Sequence, residues 1–229
     1  VITGGADACV NDGILAAFCR MGAVSSRNHE PTKASRPFNK DRDGFVIAEG
    51  SWIFILEELE HALKRKAKIY AELVGYGATC DGWHMSRPYP TGDYSIEAIR
   101  MALNDAKMEP EQVDVFEAYG NSTIINDSHE TRIVKQVFGD HAYKLVMPSV
   151  KSMLGHPIGS AGGAQVAAAL QAISEGFIHP TINYEIPDPE CDLDYVPNQG
   201  RAGRFNVAVC NSLAFGGKKS ILHENIQKI

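Results

Sequence analysis

Three observations predict an α/β fold. Short β-rich runs at 69–76, 113–118 and 145–150 alternate with stretches of helical apolar spacing. The alanines and glycines of 159–169 give a helix with side chains small enough for burial between layers. Polar, glycine-bearing clusters fall where predicted strands give way to loops, the place where open α/β folds gather their sites.

The elements follow in chain order. The chain opens Val1-Ile2-Thr3-Gly4-Gly5-Ala6, without methionine and in mid-junction between strand and loop, so it reads as an excerpt from a longer protein. Residues 11–22 have a helix-like apolar pattern behind an Asn or Asp N-cap. The polar stretch Ser25 to Gly44 is too long for a routine connector and reads as functional or disordered. The apolar run from Gly44 to Leu56 predicts one or two buried strands. Residues 57–68 place acids before bases, as the helix macrodipole favours, and predict a short helix with a solvated basic end. A strand is expected from Ile69 to Tyr76, with Gly75-Tyr76-Gly77 opening a loop that runs through Pro90. Over 93–107, Ile96, Ile99, Met101, Leu103 and Ala106 fall broadly on one side of a helix. There follow a strand (113–118), a helix (128–138), a strand (145–150) and a helix (161–175). Two last strands, 204–211 and 220–224, flank the glycine loop Phe215-Gly216-Gly217.

Composition bounds the function. With 229 residues, 44% hydrophobic and 22% charged, the chain can bury a sizeable core as one large domain or two small ones. Lys plus Arg number 22 against 28 Asp plus Glu, a net charge of −6, so there is no basic excess for nucleic acid. No apolar run approaches the roughly 18 residues of a membrane-spanning helix. The cysteines at 9, 19, 80, 191 and 210 are odd in number and show no metal-like spacing, which suggests a reducing, cytoplasmic setting and no metal.

Three clusters can carry chemistry: Glu117-Ala118-Tyr119-Gly120-Asn121-Ser122-Thr123, Lys151-Ser152-Met153-Leu154-Gly155-His156, and Asn211-Ser212-Leu213-Ala214-Phe215-Gly216-Gly217. A lone histidine after a glycine is more often structural than catalytic. A glycine-rich stretch before a helix permits tight packing as readily as it cradles phosphate. Gly217-Lys218-Lys219-Ser220 lacks the P-loop spacing, and the glycines at 155, 159 and 162 miss the dinucleotide spacing. Spacing alone yields an α/β protein with a candidate polar site.

In order, these clusters resemble the C-terminal half of a β-ketoacyl-acyl carrier protein synthase of the elongating type II kind. That family's usual pattern has an Ala-His-Gly-Thr-Ser-Thr loop, a Lys-Ser-x-x-Gly-His motif and a Gly-Phe-Gly-Gly loop. The resemblance extends over Ser35-Arg36-Pro37-Phe38, Asp41-Arg42-Asp43-Gly44-Phe45, Asp81-Gly82-Trp83-His84-Met85, Pro180-Thr181-Ile182-Asn183 and the stretch from Asp188 to Asn198, and so spans essentially the whole chain. It implies the thiolase-like layered α/β/α/β/α fold, with residues 1–72 ending the N-terminal half and 73–229 forming the C-terminal half. It also implies a decarboxylative Claisen condensation of substrates carried on the phosphopantetheine of an acyl carrier protein, with no other cofactor. The expected partners are that carrier protein and a second ketosynthase-fold subunit, as homodimer or heterodimer. Lys64, Arg65, Lys66 and Lys68 are candidates for the basic patch that acidic carrier helices require.

The site residues carry over one by one. His156 and Lys151 match the family's second histidine and its lysine, and Phe215 matches the gating phenylalanine. Thr123 matches a threonine that bonds the pantetheine arm, and Ser86 sits where a similar hydroxyl is usual. Tyr119 stands where the first histidine belongs, Asn121 where the loop's first threonine belongs, Gln165 where a glutamate usually pairs with the lysine, and Ala214 where the gate has its first glycine. The nucleophilic cysteine is expected upstream of Val1. Each of the five cysteines present is expected to be a buried, structural thiol.

Two readings follow. A working ketosynthase-type acyltransferase accepts Tyr119 as substitute donor; a non-condensing partner subunit resembles a chain-length factor. The retained Lys151, His156, Phe215 and Thr123 favour the first, and the departures at 119, 121, 165 and 214 motivate the second.

Overall fold

The computed structural model describes residues 1–225. It opens with β1 (Ile2–Asp7) and α1 (Asp12–Met21), followed by β2 (Gly50–Ile55), α2 (Leu59–Lys64), β3 (Glu72–Cys80) and α3 (Asp93–Ala106). Next come β4 (Val115–Glu117), α4 (Ile124–Phe138), α5 (Lys151–Leu154) and α6 (Ala161–Glu175). The short pair β5 (Phe177–Ile178) and β6 (Arg201–Ala202) precedes the closing strands β7 (Val207–Ala214) and β8 (Lys218–Asn225).

Four strands form one sheet in the order β3-β8-β7-β4, antiparallel except for the parallel β7–β4 pair. Alternation along the strands divides the core. On β4, Phe116 packs with Ile99, Ile133 and Phe138, while Val115 packs with Ala169, Ala172 and Ile173. On β7, Val207 and Val209 take the first side, Ala208 and Cys210 the second. The sheet is therefore covered by α3 and α4 on one face and α6 on the other. Each fully buried aliphatic or aromatic side chain contributes about 1.5–3 kcal/mol relative to exposure.

Helix α6 is a middle layer, because its far flank meets the antiparallel pair β1–β2. A Cβ on Gly163 would stand 2.7 Å from Trp52 Cβ, and one on Gly162 would meet Ser212 Oγ at 3.2 Å. The small residues that suggested burial between layers are thus required on both flanks.

Several expectations change. Strand β3 runs on to Cys80 through the glycines that read as a loop opening: a Cβ on Gly77 would lie 2.0 Å from Ala98 O, so these glycines admit α3 against the strand. Met101 is exposed instead of joining the buried face of α3. The Gly44–Leu56 run gives one strand, whose Ser51, Ile53 and Ile55 are exposed and whose Trp52 faces α6. The 145–150 segment makes a single parallel bridge to β4, since Pro148 has no N–H with which to extend a ladder. Helix α4 starts at Ile124, four residues early, because Thr123 caps it by accepting from Asn126 N. Helix α2 is confined to Leu59–Lys64.

The 25–44 stretch is ordered. Arg36 is buried and pairs with Asp41 and Glu185; Arg42 is buried, pairs with Asp188 and donates to the carbonyls of Thr123 (3.2 Å) and Ile124 (3.0 Å). This loop braces the start of α4. Among the described residues, no helix is long and apolar enough to cross a membrane.

Candidate active site

The loop after β4 is clamped at nearly every polar group. Glu130, buried on α4, accepts Tyr119 N (2.7 Å) on one oxygen and Gly120 N (2.9 Å) on the other. Gln165 of α6 directs its amide nitrogen at the carbonyls of Glu117 (3.1 Å), Ala118 (2.9 Å) and Asn211 (2.7 Å). Ser149 Oγ donates to Gly120 O (2.7 Å). Buried backbone groups must find partners, and here three separate segments supply them, which holds Tyr119 rigidly.

Tyr119, His156 and Lys151 come together. Tyr119 Oη lies 2.9 Å from His156 Nε2, and Lys151 Nζ sits over the Tyr119 ring, 4.6 Å from its centroid. Ile158 N donates to His156 Nδ1 (3.2 Å), which puts the neutral ring's proton on Nε2 and makes Nε2 the donor to Tyr119 Oη. The phenolic proton is then left for another acceptor. Gly155, at φ +76°, makes the turn into His156, whose own N–H donates to Val46 O (2.7 Å) and whose carbonyl accepts Ala48 N (3.0 Å). The backbone of this residue is therefore pinned against 46–48.

Burial sets the electrostatics. It lowers the His156 pKa to about 3, with the Lys151 charge acting in the same direction, so the ring is neutral at ordinary pH. Burial lowers the Lys151 pKa, opposed chiefly by Glu130; the Lys151 ammonium has no hydrogen-bond acceptor among the described residues. Burial and then Glu130 push the Tyr119 phenol up, the Asn121 amide pulling the other way. Asp127, beside Arg42 and accepting from Phe38 N (2.8 Å), is raised by burial to about 6.

Phe215 is half exposed and stacks on Phe18 of α1, 6.1 Å between centroids. Phe18 meets Phe45 edge-on at 5.2 Å, and Phe45 meets the His156 ring at 5.1 Å. An unbroken aromatic run thus joins Phe215 to His156 and Tyr119. Thr123 and Asn121 are close but engaged with one another, since Asn121 Oδ1 accepts both Thr123 N (3.2 Å) and Thr123 Oγ1 (2.8 Å). Ser86 lies on the exposed loop after β3, beside Met85, whose carbonyl accepts Gly216 N (2.9 Å).

One expectation fails at the surface. Cys9, Cys191 and Cys210 are buried, but Cys19 and Cys80 are exposed: Cys19 lies on the open side of α1, and Cys80, at the end of β3, approaches Gly216 O at 3.2 Å. In the basic run, Arg65 is taken up by both oxygens of Glu57 (2.7 and 2.6 Å) and Lys68 sits over the Tyr70 ring. Among the described residues, no group of three or more His, Cys, Asp or Glu is placed to hold a metal.

Sequence reasoning missed Glu130 and His179, and placed Glu117 in a chemical cluster without a role; all three are buried or nearly so. For Glu130 a signal existed: Asp127, Glu130 and Val134 share one face of α4 at 3–4 residue spacing, placing carboxylates where core residues belong.

Comparison with known proteins shows what the chain as a whole is similar to. A model of the beta-ketoacyl synthase N-terminal domain matches residues 1–62, and one of the C-terminal domain matches residues 70–185. The chain is 52% identical over 217 residues to 3-oxoacyl-[acyl-carrier-protein] synthase 2 of Synechocystis sp., covering 95% of this chain and 52% of that protein. It superposes with a TM-score of 0.96 and 39% identity on a type II PKS ketosynthase solved in complex with its acyl-carrier protein and bound to the hexaketide, covering 99% of this chain and 56% of that one. The ishigamide ketosynthase/chain length factor gives a TM-score of 0.90 at 40% identity, over 99% and 53%. The chain spans about half the length of the proteins it matches.

Proposed function

The chain belongs to the beta-ketoacyl synthase family and has its thiolase-like layered fold, and on that premise we propose that it is the C-terminal portion of a condensing acyltransferase of fatty-acid or polyketide assembly. In this reading residues 1–72 close the N-terminal half and 73–229 form the C-terminal half. The acyl group waits on a cysteine upstream of Val1. The malonyl thioester arrives on the phosphopantetheine of an acyl carrier protein, past Phe215 and along Thr123, Asn121 and Ser86, and no resident cofactor is needed.

The carboxyl carbon leaves as carbon dioxide and its bonding pair enters an enolate. The α-carbon then attacks the acyl carbonyl and the cysteine thiolate departs. Charge collects on the enolate oxygen, so donors aimed at it lower the barrier. The observation that carries the reading is the 2.9 Å Tyr119–His156 contact with the histidine tautomer fixed from behind. The imidazole proton is taken up by Tyr119 Oη, which leaves the phenolic proton, backed by that imidazole, as the donor at the point where the family places two imidazoles. Lys151, buried and without a hydrogen-bond acceptor among the described residues, supplies the positive field.

One observation favours the second reading, a non-condensing partner resembling a chain-length factor: the Thr123 hydroxyl donates to Asn121, not toward an incoming arm. In either reading the complete protein pairs with a ketosynthase-fold subunit. Intact mass of the complete protein after incubation with acyl- and malonyl-carrier protein tests the proposal. A thiol-linked acyl adduct together with a β-ketoacyl product is expected. Full-length protein with no adduct and no product overturns it in favour of the partner role.

A further inference from the structure

Behind Tyr119 lies a buried pair of titratable groups that the reaction above does not use. Glu117, the last residue of β4, is fully buried; one carboxylate oxygen accepts Val150 N at 3.2 Å, and the other lies 3.0 Å from His179 Nε2. His179 follows β5, and its Nδ1 is 3.1 Å from Pro180 O. A carbonyl oxygen only accepts, so Nδ1 carries a proton. Nε2 faces both oxygens of Glu117, at 3.2 and 3.0 Å, and an ionised carboxylate in that position draws a second proton onto the ring. Both ring nitrogens are donors, which is the imidazolium form.

The location gives this pair a task. Glu117 is two residues from Tyr119, and Val150 is the residue before Lys151, so one carboxylate ties the strand end under Tyr119 to the first turn of α5. The segment after His179 reinforces the same turn: Thr181 Oγ1 accepts Ser149 N (2.9 Å), and Ser152 Oγ accepts Ile182 N (3.0 Å). We propose that Glu117 and His179 are a positioning pair, a carboxylate–imidazolium bridge that sets the spacing of Tyr119 and Lys151 and cancels the carboxylate charge next to Lys151. Burial works against the imidazolium, and the Glu117 carboxylate more than offsets it. Without His179, the Glu117 charge would be buried with only a backbone amide to balance it. The kinetic consequence rests on the condensing reading; the bridge itself does not.

The test uses the complete protein labelled with ¹⁵N at histidine, in wild-type form and as Glu117→Gln, His179→Gln and the double variant. Wild type should show one ring whose two nitrogens stay protonated to a higher pH than those of an ordinary histidine. That signal should be absent from His179→Gln, and the ring should be neutral in Glu117→Gln. Turnover of malonyl-carrier protein should fall about tenfold to a hundredfold in His179→Gln with little change in KM. The double variant restores a neutral, hydrogen-bonded pair and should recover most of that loss, which a merely space-filling role would not produce. A His179 ring that is neutral at pH 7 overturns the bridge, and a double variant as slow as His179→Gln overturns the positioning role. A wild-type protein with the imidazolium signal and no turnover upholds the bridge and refutes the condensing reading instead.

Discussion

Replacing Tyr119 with Phe separates the two things this side chain does. The ring stays under Lys151 Nζ, 4.6 Å from its centroid, while the oxygen 2.9 Å from His156 Nε2 is removed. A buried imidazole N–H then loses its acceptor, at a cost of about 1–3 kcal/mol in stability. The reaction loses a donor at the enolate oxygen, which is worth about 10²–10³ in rate. Tyr119→Leu removes the ring as well, and with it a desolvated cation–π contact of about 2 kcal/mol. The expected ordering in urea unfolding is therefore wild type, then Phe, then Leu, with the second step as large as the first. Single-turnover malonyl decarboxylation by the complete protein should fall at the first step and change much less at the second. Wild-type decarboxylation by Tyr119→Phe would refute the phenol as donor. Equal stability of the Phe and Leu variants would refute the ring as the seat of the Lys151 charge.

Gln165→Glu should destabilise by about 3 kcal/mol or more, because it aims a carboxylate at the carbonyls of Glu117, Ala118 and Asn211 in place of an amide donor; a variant as stable as wild type in urea would mean that Lys151 swings across to pair with it. His156 gives a pH signature. Its folded pKa of about 3 lies below the ordinary 6.5, so its contribution to stability is present above 6.5 and is lost as pH falls toward 3. The stability advantage of wild type over His156→Asn should therefore shrink by a few kcal/mol between pH 7 and about 4; a constant gap in unfolding curves would contradict a buried neutral ring. Gly77→Ala should lower the melting temperature markedly, since its Cβ would lie 2.0 Å from Ala98 O and force α3 off β3. An unchanged melting temperature would rule out that close contact.

The residues legible in the sequence are those whose meaning is local. The Lys151–His156 spacing, the Tyr119 loop and the Phe215 turn each sit at a strand end and could be singled out without a fold. Asn11 and Gly22 bracket α1 by capping chemistry that is local as well. Glu117 and His179 could not be paired in advance, because their relation exists only once β4 and the segment after β5 are brought side by side. The same holds for Gly75 and Gly77: in sequence they punctuate, and only the approach of α3 shows that they are packing residues. The exposed face of β2 is the converse case, since apolar content alone does not tell which side of a strand is covered.

The run of rings from Phe215 through Phe18 and Phe45 to His156 has a consequence for timing. Phe18 touches both the proposed gate and the ring that touches the imidazole, so it has two aromatic neighbours when Phe215 is in the stacked position and one when it is not. On the proposed gating role of Phe215, displacing that ring would leave Phe18 with Phe45 alone, so the packing beside the imidazole would be complete only with the gate closed. Entry and chemistry would then take turns, with a single half-buried phenylalanine on α1 keeping the order.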